Sequence, residues 1–120
     1  MIGNNIEFGV VDNNASRHMK LLALDQARNC GFSIFDTKTR ELISYGCYSY
    51  TNSKYTFAQA VVNIEKAVVR LINNNEIGYV AIEGIQLRQN PRSFAALAQL
   101  QGVLINLFEK NKIPYTVVQP

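Results

Sequence analysis

The first sustained pattern along the chain is a pair of short apolar runs, Lys20–Asp25 (KLLALD) and 31–36 (GFSIFD), each ending on a carboxylate. A polar turn containing Asn29 and Gly31 separates them, and both have the length and β-rich make-up of strands. A third run, 41–50 (ELISYGCYSY), alternates loosely and is rich in β-formers, which predicts a three-stranded antiparallel meander. Gly46 inside that run marks the expected position of a bulge.

The period then changes. Thr56 and Gln59 have the spacing of a capping box, in which the threonine hydroxyl takes a free N–H of the first turn and the glutamine reaches back. Phe57, Ala60, Val61, Ile64, Ala67, Val68, Leu71 and Ile72 follow at three- and four-residue spacing, one apolar helical face, and Asn73, Asn74 and Asn75 supply its stop. Residues 79–83 (YVAIE) form a buried strand. Asn90 and Pro91 suit the cap and first position of a second helix running to about Lys110, because proline there loses only an N–H without a partner. Residues 113–119 (IPYTVVQ) form a last strand. The order is β-β-β-α-β-α-β, an α/β fold with a mixed sheet whose second half is parallel.

The first nineteen residues stand apart. They are rich in asparagine, hold no sustained period, and end in Ala15-Ser16-Arg17-His18-Met19, the pattern of a translated leader ahead of a natural start. The expected division is a leader or arm over 1–19 and one domain over 20–120, a size that suits a single core.

Composition narrows the classes. A hydrophobic share of 48% with 18% charged residues is that of an ordinary globular chain, and no apolar run approaches the ~20 residues of a membrane helix. Cytoplasm is the expected compartment, since the start lacks the apolar stretch of a secretion signal. Two cysteines, Cys30 and Cys47, without a CxxC pair or a histidine other than His18, fit neither a zinc site nor a disulfide framework. The net charge of +3 divides into −1 over residues 1–19 (Arg17 against Glu7 and Asp12) and +4 over the rest (eleven cations against seven anions). The patterned part is the basic part, which permits a nucleic-acid partner.

Asp25 and Glu83 carry the candidate chemistry. Both close apolar strands, and right-handed crossovers make those strands parallel neighbours. Ligands of open α/β sheets sit beyond the carboxyl ends of strands, where the two side chains converge. Two close carboxylates repel unless a cation or proton intervenes, and a hard divalent cation with open positions suits phosphodiester cleavage. Taken singly, a strand-terminal acid is more often a cap or a solvated turn residue. Gln86, Arg88, Gln89, Asn90 and Arg92 follow Glu83 closely and are candidates for phosphate contacts that position DNA without reading sequence, or else an ordinary solvated loop. Lys38, Arg40 and Lys54 are fainter candidates. Tyr45, Tyr48, Tyr50 and Tyr55 fit strand packing better than base stacking. Arg28 and Asn29 follow Asp25 in a turn and stay outside the catalytic set.

The blocks LLALDQARNCGFSIFD, VAIEGIQLRQN and SFAALAQLQGVL, with the closing YTVVQP, resemble the motifs of RuvC-like Holliday junction resolvases of the ribonuclease H-like superfamily, especially those of phages and mobile elements. The resemblance covers essentially all of residues 20–120, with Gly31 and Gly102 in place. It implies a homodimeric endonuclease that nicks four-way DNA junctions symmetrically with four carboxylates and Mg2+ or Mn2+. Asp25 matches the first carboxylate and Glu83 the second. The other two belong to a helix after the final strand, expected beyond Pro120, so these 120 residues are expected to be impaired. Two rivals remain open: a non-catalytic structure-specific DNA-binding module, and a ribonuclease H-like nuclease of the YqgF type, which matches GFSIFD less well. A sugar kinase of the actin-like superfamily needs far more chain.

The second helix offers a dimer surface over residues 94–108. Phe94, Leu97, Ala98, Leu100, Val103, Leu104, Ile105, Leu107 and Phe108 spread around most of its circumference, more than the stripe of about 100° that a sheet covers. Gln99, Gly102 and Asn106 share one narrow polar side. The leftover apolar flank is expected against a second copy or against the first helix.

Overall fold

A computed structural model describes residues 19–51, 53–85 and 91–119. Its elements are β1 (Lys20–Asp25), β2 (Asn29–Asp36), β3 (Leu42–Ser49), α1 (Phe57–Asn75), β4 (Ile77–Glu83), α2 (Pro91–Lys110) and β5 (Tyr115–Val118). This is the expected order. They form one five-stranded sheet with strand order β3-β2-β1-β4-β5. β1, β2 and β3 pair antiparallel as a meander, whereas β4 and β5 join in parallel, β4 directly beside β1.

Boundaries shift where local sequence misleads. Asn29 and Gly31 lie inside β2 rather than in the turn, pairing with Ser49 and Cys47, so the reversal is confined to residues 26–28. The helix stop also lies later than the first asparagine. α1 continues through Asn75, and Glu76 ends it in the left-handed conformation (φ 52°) with its N–H donating to the Ile72 carbonyl. β4 therefore starts at once, at Ile77. The capping box forms as expected, Gln59 N–H donating to Thr56 Oγ1 at 3.1 Å and Thr56 N–H to Gln59 Oε1 at 2.9 Å. Pro91 is the first residue of α2; its expected cap, Asn90, lies outside the described residues.

Gly46 is not a bulge. The irregularity in the β2–β3 ladder falls between Ile34 and Phe35, opposite Ser44 and Leu42. Gly46 pairs regularly with Phe32, whose ring lies where a side chain would stand, 2.8 Å from an ideal Cβ. That ring stacks on Tyr48 at 5.5 Å between centroids.

Alternation sorts the sheet into two faces. Leu22, Leu24, Ile34, Val80 and Ile82 are buried and share one cluster with Ile64, Val68 and Ile72 of α1 and Leu100, Leu104 and Phe108 of α2. Both helices thus pack on the same face. On the opposite face Leu21, Phe35 and Tyr79 are half-buried and Tyr45 and Val118 exposed, and no described helix covers it. Gly46→Ala should lower stability by about 1–3 kcal/mol, the usual cost of overpacking, read as a lower urea midpoint at unchanged slope. An unchanged midpoint would mean that the Phe32 ring moves aside freely.

Candidate active site

The two strands that carry the acids are held in a fixed register. Leu22 pairs with Val80, Ala23 with Ala81 and Leu24 with Ile82, and the next residue on each strand is a carboxylate, Asp25 and Glu83. Neighbouring strands lie about 4.8 Å apart. Both acids belong to the alternate set of Ala23 and Ala81, pointing away from the core, and both are exposed. On the other flank of Asp25 its β2 partner is Gly31, where even a Cβ would lie 3.9 Å from Asp25 Cβ. The space beside this carboxylate is therefore clear.

The Glu83 peptide is braced. The Gln26 side chain, 4% exposed, accepts from Glu83 N–H at 3.2 Å and donates back to the Glu83 carbonyl. Gln101 of α2 donates to the same carbonyl at 2.9 Å, and Gly84 N–H donates to the Val118 carbonyl at 2.7 Å. Neither glutamine was singled out from the sequence. Nothing local marks Gln26, whose partner is 57 residues away.

Other residues sort by edge. β3 runs parallel to β1, so Tyr50 reaches the carboxylate edge, where its N–H donates to the Arg28 carbonyl at 2.9 Å. The Arg28 guanidinium donates to the carbonyls of Tyr50 (3.0 Å) and Tyr55 (2.9 Å), tying the β1–β2 turn to the loop before α1. The Asn29 carboxamide oxygen accepts from Cys47 Sγ at 2.7 Å. Asp36 ends β2 opposite Lys20, at the far edge, where its carboxylate caps the turn through the N–H groups of Lys38 and Thr39. Lys38 and Arg40 sit on that turn, away from the acids, and so lose their place as DNA candidates at this site. Lys54 is exposed in the loop between β3 and α1.

Arg92 is exposed on the first turn of α2, which follows the carboxyl end of β4. Gln86, Arg88, Gln89 and Asn90 lie outside the described residues. Three of the four tyrosines pack: Tyr48 on Phe32, and Tyr50 edge-on to Tyr55 at 5.2 Å. Tyr45, 77% exposed, stands on the open face. Among the described residues no group of three or more histidine, cysteine, aspartate or glutamate side chains converges. Likewise no described helix is long and apolar enough to cross a membrane.

A mixed sheet in this order agrees with the fold of the solved structures it resembles. The family model for crossover junction endodeoxyribonuclease RuvC matches residues 21–119. The chain belongs to the RuvC family. A curated RuvC of Helicobacter pylori strain G27 is 30% identical over 107 residues, which is 84% of this chain and 67% of that protein. The RuvC of Campylobacter curvus is 30% identical over 89 residues, 72% of this chain and 55% of the relative. Among solved structures, Thermus thermophilus RuvC in complex with a Holliday junction substrate superposes with a TM-score of 0.74 at 13% identity, covering 86% of this chain and 66% of that one. The fowlpox virus Holliday junction resolvase gives 0.56 at 18% identity, covering 85% and 63%. These two likenesses carry the fold. The chain thus spans about two thirds of the length of the Helicobacter pylori and Thermus thermophilus RuvC proteins.

The two thiols of this RuvC-family chain should differ sharply. Burial pushes the Cys30 thiol up to about 11, so it stays protonated at neutral pH, whereas Cys47 is exposed. Since the thiolate is the nucleophile, an aromatic disulfide reagent at pH 8 should titrate one thiol rapidly in the folded chain and two in denaturant. Rapid reaction of both in the folded state would contradict the burial of Cys30.

Proposed function

We propose that this chain forms the catalytic fold of a metal-dependent, structure-specific DNA endonuclease that resolves four-way junctions. The observation that carries it is the placement of Asp25 and Glu83 side by side at the carboxyl edge of parallel neighbours, in a chain of the RuvC family. Two exposed, oxygen-only donors fit a hard divalent cation, Mg2+ or Mn2+, that keeps open positions for phosphate and water. Asp25 and Glu83 would hold that cation, which when bound supplies charge stabilisation and an activated water. The clearance at Gly31 leaves room for a phosphate beside Asp25. Gln86, Arg88, Gln89, Asn90 and Arg92 supply phosphate contacts that hold the backbone in register.

Two-metal phosphoryl chemistry places its cations roughly 3.5–4 Å apart, each with its own carboxylates. Asp25 and Glu83 are too few for two, and Asp36 at the far edge cannot join them. These 120 residues alone should therefore bind Mg2+ weakly and nick poorly. The experiment is a binding and nicking assay on a synthetic four-way junction and on duplex of equal length, with Mg2+ or Mn2+. The chain should prefer the junction, with affinity falling steeply as salt rises, and show little or no cleavage. Equal affinity for junction and duplex would overturn junction specificity. Robust cleavage abolished by Asp25→Asn would overturn the need for further carboxylates.

The chain acts as a homodimer joined through α2. Phe94, Ala98 and Ile105 recur at four and seven residues and are only half-buried within the chain. Next to them Gly102 is exposed, with nothing within 4 Å of a Cβ added there. A mid-helix glycine costs about 1 kcal/mol relative to alanine, and no contact among the described residues calls for it. Close approach of a second α2 accounts for it. Light scattering at micromolar concentration should give a dimer, and Gly102→Leu should yield a monomer of equal or higher helix stability. A strict monomer before substitution would overturn the interface.

A further inference from the structure

The last pair in the β1–β4 ladder is Leu24 with Ile82, so both carboxylates stand one residue beyond the regular pairing. Beyond that pair β1 and β4 no longer hold each other through the backbone, although Asp25 still pairs with Gly31 and Glu83 with Val118, and mutual repulsion of two close carboxylates favours their separation. Gln26 counters this from the core side of the edge. Its amide replaces the missing backbone partner, meeting both the N–H and the C=O of Glu83. Because Gln26 directly follows Asp25, the same contact fixes the end of β1 against the end of β4.

One donor satisfies a strand-end carbonyl. The second, from Gln101, adds a link between the carboxylate edge and the middle of α2, which Leu100 and Leu104 anchor in the core. We propose that Gln26 and Gln101 are positioning residues, which hold the Glu83 carboxylate beside that of Asp25 so that the pair shares one divalent cation. The proposal rests on the reading of Asp25 and Glu83 as a cation-binding pair. Groups that orient ligands to a metal typically govern its affinity by about tenfold or more.

The test is Mn2+ binding to the whole 120-residue chain, followed by the paramagnetic resonance of free and bound ion well below each variant's melting midpoint. Gln26→Met and Gln101→Met preserve side-chain length and remove the amide. Each should weaken Mn2+ binding about tenfold while amide exchange stays slow at Leu22 and Val80, and Gln26→Met, which removes the acceptor of the Glu83 N–H, should also accelerate exchange at Glu83. Wild-type Mn2+ affinity in folded variants, with exchange still slow at Leu22 and Val80, would overturn the proposal, because the amides would then serve the strand end alone. Should Gln26→Met fail to fold, Gln101→Met, which leaves the Gln26 bonds in place, decides by the same comparison. Asp25→Asn separates the two levels. Equal Mn2+ binding by wild type and Asp25→Asn overturns the cation pair itself, and with it the role of the glutamines.

Discussion

The parallel pairing of β4 with β1 is the constraint from which the site follows. A parallel neighbour cannot be reached by a tight turn; the chain must cross back over the sheet, and α1 is that crossover, from the end of β3 to the start of β4. The helix pays its way by burying Ala60, Ile64, Ala67, Val68, Leu71 and Ile72 on the sheet, and its left-handed end at Glu76 feeds straight into Ile77. Had β4 entered antiparallel, Glu83 would lie at the edge of Lys20 and the two acids would stand a strand length apart. Direction, rather than proximity in sequence, brings together residues 25 and 83.

Burial on one face leaves the other for chemistry. The period-two alternation puts Leu22, Leu24, Val80 and Ile82 under the helices, and the same alternation turns Ala23, Asp25, Ala81 and Glu83 outward. A one-residue slip of β4 would bury Glu83 and expose Val80 and Ile82, so the core itself enforces the register that aligns the acids. The small side chains of Ala23 and Ala81, and the missing one at Gly31, keep the surroundings of the carboxylates low. The clearance beside Asp25 thus follows from the same strand pairing that stabilises the sheet.

Element order, the capping box at Thr56 and the acids at strand ends were legible in the sequence because each depends on spacing within a few residues. Antiparallel pairing of β2 with β1 likewise sends Asp36, at the end of its run, to the far edge. What escaped was set by contacts across long separations. Asn29 looks like a turn residue, yet its pairing with Ser49 draws it into β2. Gly46 looks like a bulge, and only the Phe32 ring above it explains why no side chain stands there. Nothing in the sequence marks Gln26 or Gln101, because their partner at Glu83 is visible only once the sheet is assembled. The contacts expected of Gln86, Arg88, Gln89 and Asn90 lie outside the described residues.

The braces at this edge share a chemical character. Glu83 is held by neutral amides, and the one guanidinium in the β1–β2 turn, Arg28, donates to the carbonyls of Tyr50 and Tyr55. A lysine or arginine in the place of Gln26 or Gln101 would also donate to the Glu83 carbonyl. It would, however, set a fixed positive charge beside two carboxylates, where an ion pair competes with any bound cation and attraction draws the acids out of line. An aspartate or glutamate there would lack the donor and add repulsion. A glutamine provides both a donor and an acceptor without charge. The backbone is therefore fixed while the negative potential of Asp25 and Glu83 remains directed at what binds from solvent, the condition that a cation site on an exposed strand end has to meet.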